Sequence, residues 1–217
     1  MQIKIVTSLI CLLTTLLLSG CFGTDDQEAM TTVQPAIEGN VYERPYSPSL
    51  GTESAKVTIV EFFDPACEAC RAFYPVVKEI MARHPNDIRV VLRYATFHQG
   101  SETVVRMLEA ARLQNKFEPV LEALLKDQHE WASHGSPNLS RAWEIAESAG
   151  LDIASTKAVM NSKEFDQTLA QERADIRSLK VSQTPTFFVN KKTLSSFGAQ
   201  QLYDLVMAEL KDDQSKQ

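Results

Sequence analysis

Val57-Thr58-Ile59-Val60-Glu61-Phe62-Phe63-Asp64-Pro65-Ala66-Cys67-Glu68-Ala69-Cys70 is the stretch from which the rest of the chain can be read. Its first seven residues are β-branched or aromatic apart from Glu61, which predicts a buried strand. Asp64-Pro65-Ala66 stops that strand, because proline has no N–H to give to a ladder. From Cys67 the apolar period changes, and Phe73, Val76, Val77 and Ile80 fall on one helical face. Pro75 is expected to kink this helix. His84-Pro85-Asn86-Asp87 ends it, and Ile88-Arg89-Val90-Val91-Leu92-Arg93-Tyr94 reads as a second strand. Strand, helix and strand in so short a span make a βαβ unit.

Downstream, Ser101 to Lys180 is predicted to be helical. Val104, Val105, Leu108, Ala111 and Leu113 mark one helix, and Phe117, Val120, Leu121, Leu124 and Leu125 a second. Trp143, Ala146 and Ala149 mark a third, closed by Gly150. Phe165, Leu169 and Ile176 mark a last, long one. Thr186-Phe187-Phe188-Val189 is a further strand, Asn190-Lys191-Lys192 a turn, and Thr193 to Phe197 a strand pairing back as a hairpin. Leu202, Leu205, Val206 and Leu210 mark a closing amphipathic helix. This order predicts an α/β protein with a central mixed sheet flanked by helices.

Upstream, Met1 to Lys4 is a short positive start, and Ile5 to Leu18 an apolar run diluted by Thr7, Ser8, Thr14 and Thr15. The run is too short and polar for a comfortable span and reads as a secretory signal. It ends Leu18-Ser19-Gly20-Cys21, which resembles the box of bacterial lipoproteins. That resemblance implies that Cys21 is acylated and becomes the N-terminus. Removing the first twenty residues leaves 197 residues with 21 basic and 28 acidic side chains, a charge of −7. Phe22 to about Leu50 is polar and carries Pro35, Pro45 and Pro48. It reads as a tether reaching up to ~100 Å when extended, with a short strand starting at Val41-Tyr42. The expected organisation is signal peptide 1–20, lipidated N-terminus and tether 21–50, first core part 51–98, helical insertion 99–180, second core part 181–212 and polar tail 213–217.

The full chain has 217 residues, 44% apolar and 23% charged, enough for a sizeable core. Its net charge of −6 argues against nucleic acid as a partner. Of its four cysteines, Cys11 leaves with the signal and Cys21 carries lipid, so Cys67 and Cys70 are the two free ones.

A C-x-x-C pair where a strand turns into a helix has a physical logic. The first sulfur lies at the helix N-terminus, where unpaired N–H groups and the dipole favour a thiolate. The second lies one turn further in. Cys67 is therefore expected to be exposed and nucleophilic, and Cys70 more buried. A half zinc site lacks a second C-x-x-C or His pair, and a purely structural disulfide across so short a span removes little chain entropy. His129 and His134 are five apart, unlike the i, i+4 pair of helical zinc motifs, and read as surface residues. No metal and no cofactor are expected.

The run Glu61 to Cys70, followed far downstream by Val181-Ser182-Gln183-Thr184-Pro185-Thr186-Phe187-Phe188-Val189, resembles the thioredoxin superfamily. The helical insertion before Thr184-Pro185 resembles the DsbA-like branch of bacterial disulfide oxidoreductases. The resemblance covers about residues 54–210. It implies a thioredoxin-like fold with Cys67 as nucleophile, Cys70 as resolving cysteine, and a redox disulfide Cys67-Cys70. It also implies a cis peptide before Pro185, which with Thr184 would present backbone groups to an extended substrate. Glu61 matches the acid beneath the active site that moves the proton of Cys70. One departure is Glu68-Ala69 between the cysteines, where strongly oxidising members carry a histidine. A carboxylate there is expected to oppose the Cys67 anion and give a less oxidising disulfide.

The expected function is thiol–disulfide exchange with protein substrates in the cell envelope, periplasmic in a Gram-negative host, in an oxidase, reductase or isomerase direction. The expected partners are protein thiols or disulfides, a redox protein that recycles the pair, and the membrane through the lipid. The rivals are a Cu(I)-binding lipoprotein using the same pair, a redox-inactive scaffold, and a glutathione-dependent enzyme on the same fold. The second cysteine argues against the last.

Overall fold

A computed structural model describes residues 39–214. The expected signal peptide with Cys11, the expected lipidation site Cys21, the expected tether up to residue 38 and the last three residues lie outside them. A five-stranded sheet organises the rest, in the order β1-β3-β2-β4-β5. The strands are β1 Ser49–Leu50, β2 Val57–Phe63, β3 Ile88–Tyr94, β4 Thr186–Val189 and β5 Lys192–Thr193. β2 is central, parallel to β3 and antiparallel to β4. β1 and β5 pair antiparallel on the two edges. The sheet is mixed and carries helices on both faces, as the order of elements predicts.

Alternation along β2 sorts its side chains between two cores. Val57, Ile59 and Phe63 face a large cluster with α1 (Glu68–Arg83), α8 (Ala199–Gln214) and the helices between β3 and β4. Val60 and Phe62 face a smaller one with Phe188, Val91, Tyr42, Ile176 and Leu179. Those intervening helices are α2 Ser101–Leu113, α3 Phe117–Lys126, α4 Gln128–Trp131, α5 Leu139–Ser148, α6 Ile153–Val159 and α7 Lys163–Leu179. α4 and α6 are absent from the sequence reading, since four and seven residues are too few to display a helical period. α1 continues through Pro75.

Two expectations need correction. The predicted tether ends earlier than Leu50. From Gly39 onward the chain is laid on the second sheet face, where Tyr42 meets the Phe188 ring edge-on at 5.1 Å. Pro48 O accepts from Leu92 N, and Ser49–Leu50 forms the edge strand. A turn, not a strand, occupies Val41-Tyr42, closed by a bridge between Asn40 and Glu43. Gly51 ends β1 at φ +97°, where a Cβ would stand 2.8 Å from the Ile88 carbonyl. The second correction concerns the hairpin. Asn190 and Lys191, both at positive φ, make the turn, and only Lys192–Thr193 pairs back.

Polarity of the segment before Leu50 hides what holds it. Arg93 projects from β3 into the second core, fully buried, and donates to Glu172 and Asp175 on α7 at 3.0 and 2.6 Å. Arg44 donates twice to the same Asp175 carboxylate, at 2.8 and 2.7 Å. Two arginines and two carboxylates thus tie the N-terminal segment, β3 and α7 together. Removing one member of a buried pair leaves its partner charged and unmatched, which costs about 3–5 kcal/mol. Asp175→Ala should destabilise the protein by that amount in urea unfolding. A loss below ~1 kcal/mol would show that the cluster does not hold the segment.

Candidate active site

The β2–α1 junction places the first cysteine. Cys67 is the N-cap of α1, with extended backbone at φ −78°, ψ 121°. This is the position whose side chain faces the unpaired N–H groups of the first turn. The Ala69 and Cys70 N–H groups face the sulfur without closing a full capping bond, and both still favour its anion. Cys70, one turn in, is completely buried. Asp64 N donates to its sulfur at 3.5 Å. Both cysteines are free thiols in this structure.

Antiparallel pairing of β2 with β4 brings in the second half of the site. Phe62 is opposite Thr186, so the residues before Thr186 arrive beside those after Phe63. The Thr184–Pro185 peptide is cis. Cys67 Sγ donates to the Thr184 carbonyl at 3.3 Å. This loop covers the sulfur and leaves Cys67 only 6% exposed, less than its place at a helix start suggested.

Three titratable groups share this buried space. The Cys67 thiol is lowered to about 5, first because it accepts a hydrogen bond from the Cys70 thiol. Burial opposes the ionisation, while the Thr184 side chain and the backbone N–H groups of Cys70 and Ala69 favour it. Cys70 is pushed far up by burial, by its bond to Cys67 and by the charge of Glu61. Glu61, buried on β2 with Oε1 unpartnered, is raised to about 8 by burial and then by the nearby Cys67 charge. At neutral pH this puts the charge on Cys67, whose donated bond to the Thr184 carbonyl belongs to the protonated thiol, and leaves the protons on Cys70 and Glu61. Glu68 is exposed and lies 3.7 Å from His134 Nε2. The donors just named, rather than the expected opposition from Glu68, dominate Cys67.

Cys67, Cys70, Glu61, Thr184 and Pro185 are thus brought to one place, and Cys21 lies outside the described residues. Two residues with a part in the site were missed. Asp64, fully buried, accepts from the N–H groups of Ala66, Phe97 and His98 at 2.9, 2.7 and 2.9 Å. It also accepts from Ser101 Oγ and faces His98 Nδ1 at 2.8 Å. It holds the loop before Cys67 to the loop after β3. Gln128 of α4 donates to the Pro65 and Cys67 carbonyls at 2.8 and 3.0 Å. Asp-Pro reads as a strand stop, and a glutamine some sixty residues from the cysteines carries no local signal.

On the surface, half-exposed Phe97 adjoins the Asp64 loop. Phe197, equally exposed, stacks on Phe73 at 4.8 Å and, with Pro185, Phe187 and Leu194, lines a cavity of about 150 Å³. Among the described residues no group of three or more His, Cys, Asp or Glu side chains is placed to hold a metal ion. His129 and His134 are both largely exposed.

Comparison with known proteins agrees with this geometry. The family described as Thioredoxin matches residues 43–207. A solved thioredoxin-like oxidoreductase from Silicibacter pomeroyi DSS-3 superposes with a TM-score of 0.68 at 31% identity, over 79% of this chain and 96% of that one. The chain is 28% identical over 158 residues to a Na(+)/H(+) antiporter NhaA of Herminiimonas arsenicoxydans, covering 71% of this chain and 24% of the antiporter. It therefore spans about a quarter of that relative's length. No helix among the described residues is long and apolar enough to cross a membrane. A Rickettsia prowazekii protein described as a candidate protein-disulfide oxidoreductase is 23% identical over 77% of this chain and 63% of its own length.

Two measurements test the electrostatics. Alkylation of Cys67 in the reduced protein should follow a titration centred near pH 5, while Cys70 stays unreactive up to pH 9. A midpoint near the ordinary thiol value of ~8.5 would contradict the geometry. For stability the signs oppose. Glu61, raised from 4.5 to about 8, contributes stability that is full below pH 4.5 and lost as pH rises through 8. Cys67, lowered from 9.0 to about 5, contributes stability that is full above pH 9 and lost as pH falls through 5. Glu61→Gln removes the first alone. It should stabilise the reduced protein by roughly 1–3 kcal/mol near pH 9 and leave it little changed near pH 4.5. Equal effects at both pH values would rule out a buried, late-ionising Glu61.

Proposed function

The chain belongs to the thioredoxin family, and on that footing we propose that it is an envelope thiol–disulfide oxidoreductase acting on protein substrates through Cys67 and Cys70. The observation that carries the reading is a Cys67 acidified to about 5 at a helix N-terminus, 3.3 Å from the carbonyl of Thr184 in the cis-Pro loop.

In the oxidising direction a substrate thiolate attacks Cys67 Sγ. The Cys67–Cys70 bond breaks, its electron pair goes to Cys70, and Glu61 gives Cys70 a proton. A second substrate thiolate then attacks the substrate sulfur of the mixed disulfide and expels Cys67 as a thiolate. The substrate is oxidised by two electrons, and the protein is left reduced, with a Cys67 thiolate, a Cys70 thiol and a Glu61 that regains its proton from solvent. A low leaving-group pKa speeds this last step. Run backwards, the Cys67 thiolate attacks a substrate disulfide, and Cys70 resolves it after losing its proton to ionised Glu61. Thr184 and Pro185 offer backbone to an extended segment, with Phe97 and Phe197 as apolar flanks. A Cys67 near 5, above the ~3.5 of the strongest oxidant, favours a moderately oxidising couple. A Cu(I) role or a redox-silent scaffold leaves the raised Glu61 and the cis-Pro contact without a task.

Anchoring through Cys21 rests on the Leu18-Ser19-Gly20-Cys21 box. Asn40 lines a cavity with Thr58, Asn190 and Lys191, at the start of β2. Cys67 follows the other end of that strand.

Cys67→Ala should abolish insulin reduction and refolding of a reduced protein, by 100-fold or more, and Cys21→Ala should release the protein from membranes with exchange unchanged. Retained activity without Cys67 would refute the mechanism. Thiol trapping in cells assigns the direction: a mostly oxidised pair marks a donor, a mostly reduced pair a reductase or isomerase.

A further inference from the structure

We propose that Gln128 is a positioning residue through which the helical insertion keeps the Cys67 thiolate aligned with the first turn of α1. The proposal deepens the oxidoreductase reading and rests on it for its biological meaning.

Gln128 is 1% exposed. Its Nε2 gives two hydrogen bonds, to the Pro65 carbonyl at 2.8 Å and to the Cys67 carbonyl at 3.0 Å. Among the described residues no backbone N–H reaches the buried Pro65 carbonyl. Without Gln128 that acceptor would stand unmatched, a costly state in an interior. The Cys67 carbonyl also accepts the first helical bond, from Arg71 N at 3.1 Å.

The second contact has a consequence for the sulfur. The Cys67 carbonyl lies in the peptide plane that joins Cys67 Cα to the helix. Fixing that plane fixes the angle between the Cys67 side chain and the Ala69 and Cys70 N–H groups that favour its anion. Gln128 is itself held rigid. Trp131, three residues on and therefore on the same face of α4, is fully buried. Its Nε1 donates to Leu124 O at 2.8 Å, and its carbonyl accepts from Asn138 N at 2.7 Å. Asp64 holds the same loop from the β3 side through Ala66 N. The loop before the nucleophile is thus gripped from both sides, and one grip belongs to the insertion.

Gln128→Met keeps length and approximate volume and removes both donors. It should raise the Cys67 titration midpoint by about one pH unit. It should also shift the equilibrium with glutathione about tenfold towards the protein disulfide, ~30 mV for a two-electron couple. Gln114→Met is the control. It cuts comparable bonds inside the insertion, from Nε2 to Thr156 Oγ1 and to Asp152 O, and should lower the melting temperature with the titration unmoved. A Gln128→Met protein that is less stable but keeps the wild-type midpoint and potential would overturn the proposal. If that variant fails to fold, NMR of the reduced wild type decides. The Gln128 side-chain amide should exchange slowly and shift with the Cys67 titration, and a fast-exchanging amide blind to it would overturn the proposal. Cys67 titrates whether or not the protein turns over substrate. An inactive wild type would therefore retire the oxidoreductase reading and leave this test intact.

Discussion

The antiparallel pairing of β2 with β4 is the constraint on which the site depends. Glu61, Phe62 and Val60 each have a fixed partner in β4. A register slip of one residue would turn every β4 side chain to the other face, putting Phe187 and Val189 out of the large core. The register is therefore specified by burial on both faces. Its by-product is that Thr184 and Pro185 arrive at the end of β2 where the chain turns into α1. Cys67 and Thr184 are separated by 117 positions and meet at 3.3 Å. Parallel pairing with β3 does the complementary work. It sends the chain across one face as α1 and returns it with the same polarity, so that the loop after β3 also ends beside Cys67 and can be gripped by Asp64.

Within that frame, acidity is partitioned by burial and by donors rather than by formal charge. Cys67 and Cys70 differ by three positions and titrate in opposite directions. One sulfur stands at a helix N-cap, where the Cys70 thiol and the N–H groups of Cys70 and Ala69 favour its anion; the other is enclosed, and burial with its bond to Cys67 keeps its proton on. Glu61 cannot ionise easily beside a thiolate in an apolar core, so it holds its proton to about pH 8. That is close enough to neutrality for it to lend the proton or take it back. No cation is needed near the sulfurs for this, and Glu68 between the cysteines has little influence because it is in water, where a charge is screened.

How much of this was legible in the sequence depended on distance along the chain. β2, α1 and β3 were readable because each carries its own period and the breaks between them are punctuated by proline. The cysteine pair, Glu61 and Thr184-Pro185 were readable as a resemblance, since each lies in a short recognisable run. The segment from Gly39 to Leu50 was misread because its anchors are charged. Arg44 looks like a solvent residue until Asp175 and Arg93 supply a buried partner and a neighbour, and both are far away in the chain. The four-residue α4 was invisible for want of a period, and with it the contact of Gln128 to the active-site loop.

These misreadings share a cause with a consequence for the fold. A polar residue is read as surface by default, yet Asp64, Arg93, Gln128, Glu172 and Asp175 are all buried here. Each spans two elements that apolar packing alone leaves free to slide. Arg93 and Asp175 join a strand, a helix and the N-terminal segment; Asp64 joins two loops; Gln128 joins the insertion to the nucleophile. Apolar burial supplies the bulk of the stability and acts without direction. A thiolate stabilised by N–H dipoles does not, because those contacts depend on angle as well as distance. Directional bonds from buried polar groups are what convert a stable fold into a site of fixed geometry, as Asp64 and Gln128 do on the two sides of the loop before Cys67.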